Sequence, residues 1–151
     1  MFQSLRMESF GPHADTKLAL NADGVTTITG GSTTGKSYIA HAICGLLFGV
    51  DADGDALDHV REGGASLQLA GVTTSGTLLT RTRTPKGAST RGMKKKDADE
   101  QLFTAEEPYR AALGKIGALA EIGRIIVAPR QWTVLAEKEC CLLYTSDAAD
   151  E

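Results

Sequence analysis

Residues 30–37 read Gly30-Gly31-Ser32-Thr33-Thr34-Gly35-Lys36-Ser37, an uninterrupted G-x-x-x-x-G-K-S string. A β-branched run precedes it (Val25-Thr26-Thr27-Ile28-Thr29), and an apolar helical pattern over residues 38–48 follows it. The flanks constrain the fold more than the string does, because such a loop works only where a strand hands over to a helix. Glycines let consecutive backbone N–H groups turn inward around phosphates, and the helix N-terminus behind them adds partial positive charge. On this reading Gly30, Gly31, Ser32, Thr33, Thr34 and Gly35 cradle the phosphates of a nucleotide. Lys36 reaches the β- and γ-phosphates, and the Ser37 hydroxyl helps hold Mg²⁺. The alternative is a glycine-rich strand-to-helix turn with no ligand.

The 151 residues suit one domain of ordinary size with a real core. A formal charge of −3 gives no global argument for nucleic acid. No apolar run approaches the roughly 20 residues of a membrane span, and residues 1–6 lack the apolar stretch of a secretory signal. Three cysteines, two of them adjacent, give neither a disulfide framework nor a zinc spacing. Cys44 falls on the apolar face of the helical pattern and reads as a small core residue. A cytoplasmic protein is expected.

Residues 141–151 (Cys141-Leu142-Leu143-Tyr144-Thr145-Ser146-Asp147-Ala148-Ala149-Asp150-Glu151) resemble one translated frame of a transposase sequencing adapter. They are expected to be a non-native tail, with 1–140 as the domain proper and the natural protein continuing beyond it. Without Asp147, Asp150 and Glu151, the 19 acidic residues fall to 16 and match the 16 basic ones.

Leu5 and Met7 alternate with polar neighbours in a strand ending at Phe10-Gly11-Pro12, and residues 16–20 alternate again. Residues 25–29 are expected as the strand entering the loop. The helix is expected over 36–48, with Ile39, Ile43, Leu46 and Leu47 on one face and Gly49 as its stop. Residues 66–69 and 77–81 read as a hairpin around a loop at 71–76. Residues 84–98 are polar and basic, and Pro85, Gly87 and Gly92 interrupt any periodicity. Glu106-Glu107-Pro108 starts a second helix whose apolar face is Tyr109, Leu113, Ile116 and Leu119. Ile125-Ile126-Val127 is a short buried-strand candidate.

Taken together this order resembles the N-terminal nucleotide-binding lobe of the chromosome-maintenance ABC ATPases, the group of SMC, Rad50, RecN and RecF. The carrying residues are Ser9-Phe10-Gly11-Pro12-His13, the second strand, the loop, and a helix ending in Leu47-Phe48-Gly49. The acidic connection at 51–64, Val60-Arg61-Glu62-Gly63 and the hairpin then follow in the family's order. The resemblance implies an α/β P-loop NTPase fold: the first lobe of an ABC-type ATPase head with an antiparallel β subdomain. It implies ATP and Mg²⁺ as cofactors, Lys36 as the catalytic cation, a second head as homodimer partner, and work in DNA repair or chromosome maintenance. It implies no membrane. The family usually has Asn at the position of Ser32 and Gly at that of Thr33, so Thr33 narrows the loop's backbone freedom. The family's signature sequence, acidic Walker B strand and switch His are not in these residues, so the fragment is expected to bind ATP without completing hydrolysis.

The resemblance also implies a Gln loop that senses Mg²⁺ and the γ-phosphate, and Gln131 lies near its expected place. A side-chain carbonyl can ligate Mg²⁺; equally, Gln131 reads as a solvated loop residue beside a packing Trp132. Residues 81–96 carry seven bases (Arg81, Arg83, Lys86, Arg91, Lys94, Lys95, Lys96) and no acid. That is a local field able to meet a DNA backbone, or a hydrated basic loop. Asp51, Asp53, Asp55 and Glu62 have calcium-loop spacing, but Ala56 stands where the loop needs Gly, so a solvated connector is expected. His13, His41 and His59 are scattered in sequence and read as surface or hydrogen-bonded structural residues. Two rival readings remain: a P-loop kinase acting on a small metabolite or nucleotide, and a nucleotide-sensing module without turnover.

Overall fold

The computed structural model describes residues 2–21, 24–50, 57–96 and 98–114. Among the described residues, one six-stranded antiparallel sheet carries two helices. Its strands are β1 (Phe2–Phe10), β2 (His13–Ala19), β3 (Leu67–Thr73), β4 (Leu78–Arg83), β5 (Ser89–Lys94) and β6 (Gln101–Phe103). The helices are α1 (Lys36–Phe48) and α2 (Glu106–Gly114). Spatial order is β2-β1-β3-β4-β5-β6, so β1 and β3 meet across the whole loop-and-helix insertion. Among the described residues no helix is long and apolar enough to cross a membrane.

Side-chain alternation decides which sheet face is buried. The registers place Leu18, Leu5, Gly71, Leu79 and Met93 in one row across the strands. Met7, Leu69, Arg81, Arg91 and Phe103 form the next. This face packs on α1 through Ile39, Ala42 and Leu46, closed by Leu57, Tyr109 and Leu113. Cys44 is buried beside Phe48, as its position on the apolar face requires. Opposite, Arg6, Glu8, Gln68, Thr80 and Thr82 line the outer face.

α1 has the expected bounds because a helix satisfies its own backbone. It stops at Gly49, whose left-handed backbone (φ +76°) returns its N–H to the Gly45 carbonyl at 3.1 Å. The second helix likewise starts at Glu106.

Three strand expectations need correction. Residues 25–29 form no strand: the segment is extended coil, with Val25 88% and Ile28 40% exposed. A strand exists only where a neighbour takes up its N–H and C=O groups, and among the described residues none lies alongside this one. The loop expected at 71–76 is shorter, since β3 runs on to Thr73. The basic stretch is not irregular throughout, because β5 pairs with β4 residue for residue from Leu78↔Lys94 to Arg83↔Ser89. Gly92 sits within that pairing opposite Thr80. The candidate strand at 125–127 lies outside the described residues.

Candidate phosphate-binding site

The loop at 30–37 leaves the coil segment and turns into α1 without a side-chain cap. Gly30, Gly31, Ser32, Thr33, Thr34 and Ser37 are exposed, Lys36 is half-buried and Gly35 is buried. The Lys36 ammonium folds back into the loop, donating to the Gly30 carbonyl at 2.9 Å and also to the Gly31 carbonyl. Thr34 Oγ1 lies 3.5 Å from the same nitrogen and donates to the Gly31 carbonyl at 3.0 Å. The bend is thus wound around its own cation. The first turn of α1 holds no acidic residue of its own to neutralise the helix's N-terminal partial charge. These features place a cation and the open N-terminal end of a helix side by side at the loop.

Thr33 adopts φ +66°, a left-handed backbone that costs a β-branched residue roughly 1–2 kcal/mol. Its hydroxyl donates to the Ser32 carbonyl at 2.6 Å, which partly offsets the strain. Gly35 is left-handed as well, at φ +87°. A Cβ at Gly35 would lie 2.6 Å from Pro12 Cγ and 2.7 Å from His13 Nε2, so only glycine lets the β1–β2 turn approach the loop.

That turn supplies residues the motif does not contain. His13 Nε2 lies 3.1 Å from the Gly35 carbonyl, and Nδ1 lies 3.1 Å from Thr16 Oγ1. Next to it, Tyr38 is packed edge-on by Phe10 (5.6 Å) and His59 (5.2 Å), with His41 tilted against it at 5.6 Å. His41 and His59 are themselves 5.2 Å apart, and His13 stands 6.5 Å from Tyr38. The three histidines, scattered in sequence, therefore surround one tyrosine at the start of α1. No spacing pattern could reveal this, because they come from β2, α1 and the segment bridged to β1 at Phe10↔Val60. Among the described residues no group of three His, Cys, Asp or Glu side chains could hold a metal ion.

The basic run does not act as one patch. Arg81 is 2% exposed, with its guanidinium 5.6 Å from the centre of the Tyr109 ring. Arg83 and Arg91 are half-buried; Arg83 faces Asp58 at 3.8 Å, and Arg91 donates to the Thr104 carbonyl at 3.1 Å. The exposed charge is left to Lys86 in the β4–β5 turn and to Lys94, Lys95 and Lys96 at the other end of the hairpin. A six-residue strand separates the two, about 20 Å at roughly 3.3 Å per residue. Gln131, the second candidate Mg²⁺ ligand, lies outside the described residues.

A family model described as an AAA domain matches residues 1–114. A solved structure from work on the ATP-driven dimerization and DNA-stimulated activation of SMC ATPases is similar, with a TM-score of 0.66 and 15% identity. The match covers 95% of this chain and 97% of that one. The recombination mediator protein RecF bound to ATP, of the RecFOR pathway, matches with a TM-score of 0.59 and 19% identity over 70% of this chain. It spans 28% of the RecF chain. At these identities the likeness is one of fold. No curated protein matches the sequence.

Proposed function

The chain belongs to the AAA domain family, and from that membership and the geometry of the loop we propose that it binds Mg²⁺-ATP at residues 30–37. Its fold is that of the P-loop ATPase heads to which it is similar. The observation that carries the reading is the Lys36 ammonium held among the loop carbonyls, directly ahead of a helix with no acid in its first turn.

Bound ATP would supply a polyphosphate chain and the γ-phosphoryl group of an ATPase reaction. Lys36 would exchange the carbonyls of Gly30 and Gly31 for β- and γ-phosphate oxygens and neutralise their charge. The amides of 31–36 would line the phosphates, and the exposed Ser37 hydroxyl would help hold Mg²⁺. With no preformed cluster of acids among the described residues, the metal would take most of its ligands from phosphate and water. Gln131 is proposed as a further Mg²⁺-sensing residue.

The larger reading is the first lobe of an SMC- or Rad50-like ABC-type ATPase in DNA repair or chromosome maintenance. Two heads would close on nucleotide, and hydrolysis would be completed by residues of the whole protein. Strands of a second lobe would lie beside residues 25–29, covering the exposed Val25 and Ile28. DNA would be met by Lys94, Lys95 and Lys96. A fluorescent ATP analogue titrated into the protein with Mg²⁺ tests the site. Binding is expected for the wild type and its loss in Lys36→Ala; equal binding by both would overturn the assignment.

A further inference from the structure

We propose that His13, outside the phosphate-binding motif, is a positioning residue that sets the peptide plane between Gly35 and Lys36. A carbonyl oxygen can only accept, so the 3.1 Å contact from His13 Nε2 to the Gly35 carbonyl requires the proton on Nε2. Nδ1 is then the acceptor of the Thr16 hydroxyl at 3.1 Å. The Gly35 carbonyl thereby fixes the tautomer, and the Thr16 hydroxyl, which can donate or accept, helps hold the ring's direction. The Gly35 carbonyl accepts a second bond from the Tyr38 N–H at 3.0 Å. Its direction is therefore pinned from the hairpin and from the first helical turn together.

A trans peptide is planar, with C=O and N–H pointing in opposite directions. Holding the Gly35 carbonyl toward His13 aims the Lys36 N–H away from it. That N–H is among the first amides of α1, which have no intrahelical partner. The same peptide unit leads into the Lys36 Cα, so one imidazole orients an amide of the loop and the backbone from which the Lys36 side chain departs. Gly35 allows the contact because a side chain there would collide with Pro12 and His13. The ring is half-buried and flanked by Tyr38 at 6.5 Å, which limits its swing.

The role at the nucleotide rests on the proposed function, and the test separates the two. His13→Leu is expected to raise the Kd for Mg²⁺-ATP about tenfold, the effect of one lost hydrogen bond at a preorganised site. His13→Gln restores an N–H donor near Nε2 and is expected within about threefold of wild type. Amide hydrogen exchange at Lys36 and Ser37 without nucleotide is expected to quicken in His13→Leu and to recover in His13→Gln. If the wild type fails to bind ATP while the exchange pattern holds, the nucleotide reading falls and the positioning role stands. Unchanged exchange and affinity in His13→Leu would overturn the proposal, as would a His13→Gln that behaves like His13→Leu. If His13→Leu does not fold, His13→Asn replaces it: its shorter side chain leaves the donor short of Gly35. Equal exchange in the Asn and Gln variants would then overturn the proposal.

Discussion

The Tyr109 hydroxyl donates a 2.8 Å hydrogen bond to the Leu46 carbonyl, tying α2 to the last turn of the loop helix. Leu46 is among the final residues of α1, whose carbonyls have no intrahelical donor of their own. The tyrosine ring, fully buried, also stacks edge-on with Phe103 at 5.7 Å and lies under the Arg81 guanidinium.

Tyr109→Phe keeps the ring and removes only the donor. It should cost about 1–2 kcal/mol, the penalty of leaving a buried carbonyl unmatched. Urea denaturation measures it. Tyr109→Leu should cost more, because the contacts to Phe103 and Arg81 go with the ring.

Gly11 and Gly87 form a matched pair for separating strain from collision. Both are left-handed, at φ +52° and +86°. A Cβ at Gly11 would sit 2.1 Å from Tyr38 Cε1, whereas at Gly87 it meets nothing within 4 Å. Gly87→Ala should lose about 1 kcal/mol from backbone strain alone. Gly11→Ala should lose about 2 kcal/mol or more beyond that, from overpacking against Tyr38. Comparable losses at the two sites would contradict the packing of the β1–β2 turn on α1.

Acid pH should expose the Arg6–Asp15 pair. A side-chain hydrogen bond from Arg6 Nε at 2.9 Å, with its positive charge, holds the Asp15 carboxyl below its ordinary 3.8. The folded value lies below the unfolded one. The contribution is therefore complete above the unfolded value and is lost as pH falls through the folded one. Both side chains are solvent-exposed, so the effect is small. Melting curves should show Asp15→Asn slightly below wild type at neutral pH and the two converging in strong acid; a constant gap would rule out the pair as its source.

The split of the basic run predicts unequal roles for its lysines. Exchange of Lys94, Lys95 and Lys96 together for Glu should weaken binding to a duplex oligonucleotide and lower its salt dependence by up to about three charges' worth. Lys86→Glu, at the far end of the hairpin, should do little. A reversed order would shift the contact to the β4–β5 turn.

What could be read in the chain was whatever a short segment settles alone. The loop motif, α1 from Lys36 to Phe48, the stop at Gly49 and the start at Glu106 all follow from local pattern, because a helix and a tight bend satisfy their own backbone groups. The same holds for the alternation of β1 and β2 about Gly11-Pro12. Elements that depend on distant partners escaped that reading. Residues 25–29 have the composition of a strand, but composition does not provide a neighbour. The Ser89–Lys94 strand looked irregular until β4 lay beside it.

The candidate site divides the same way. The Gly30-to-Ser37 string is legible from spacing alone, since its residues are consecutive. His13 reaches Gly35 across 22 residues, and Arg81 leaves the basic field by turning inward over the Tyr109 ring. Sequence alone determined the chemistry of the bend and the helix behind it. Only tertiary structure decided which charges face water and which side chains brace that bend, because strand register and helix docking bring together groups that no local periodicity links.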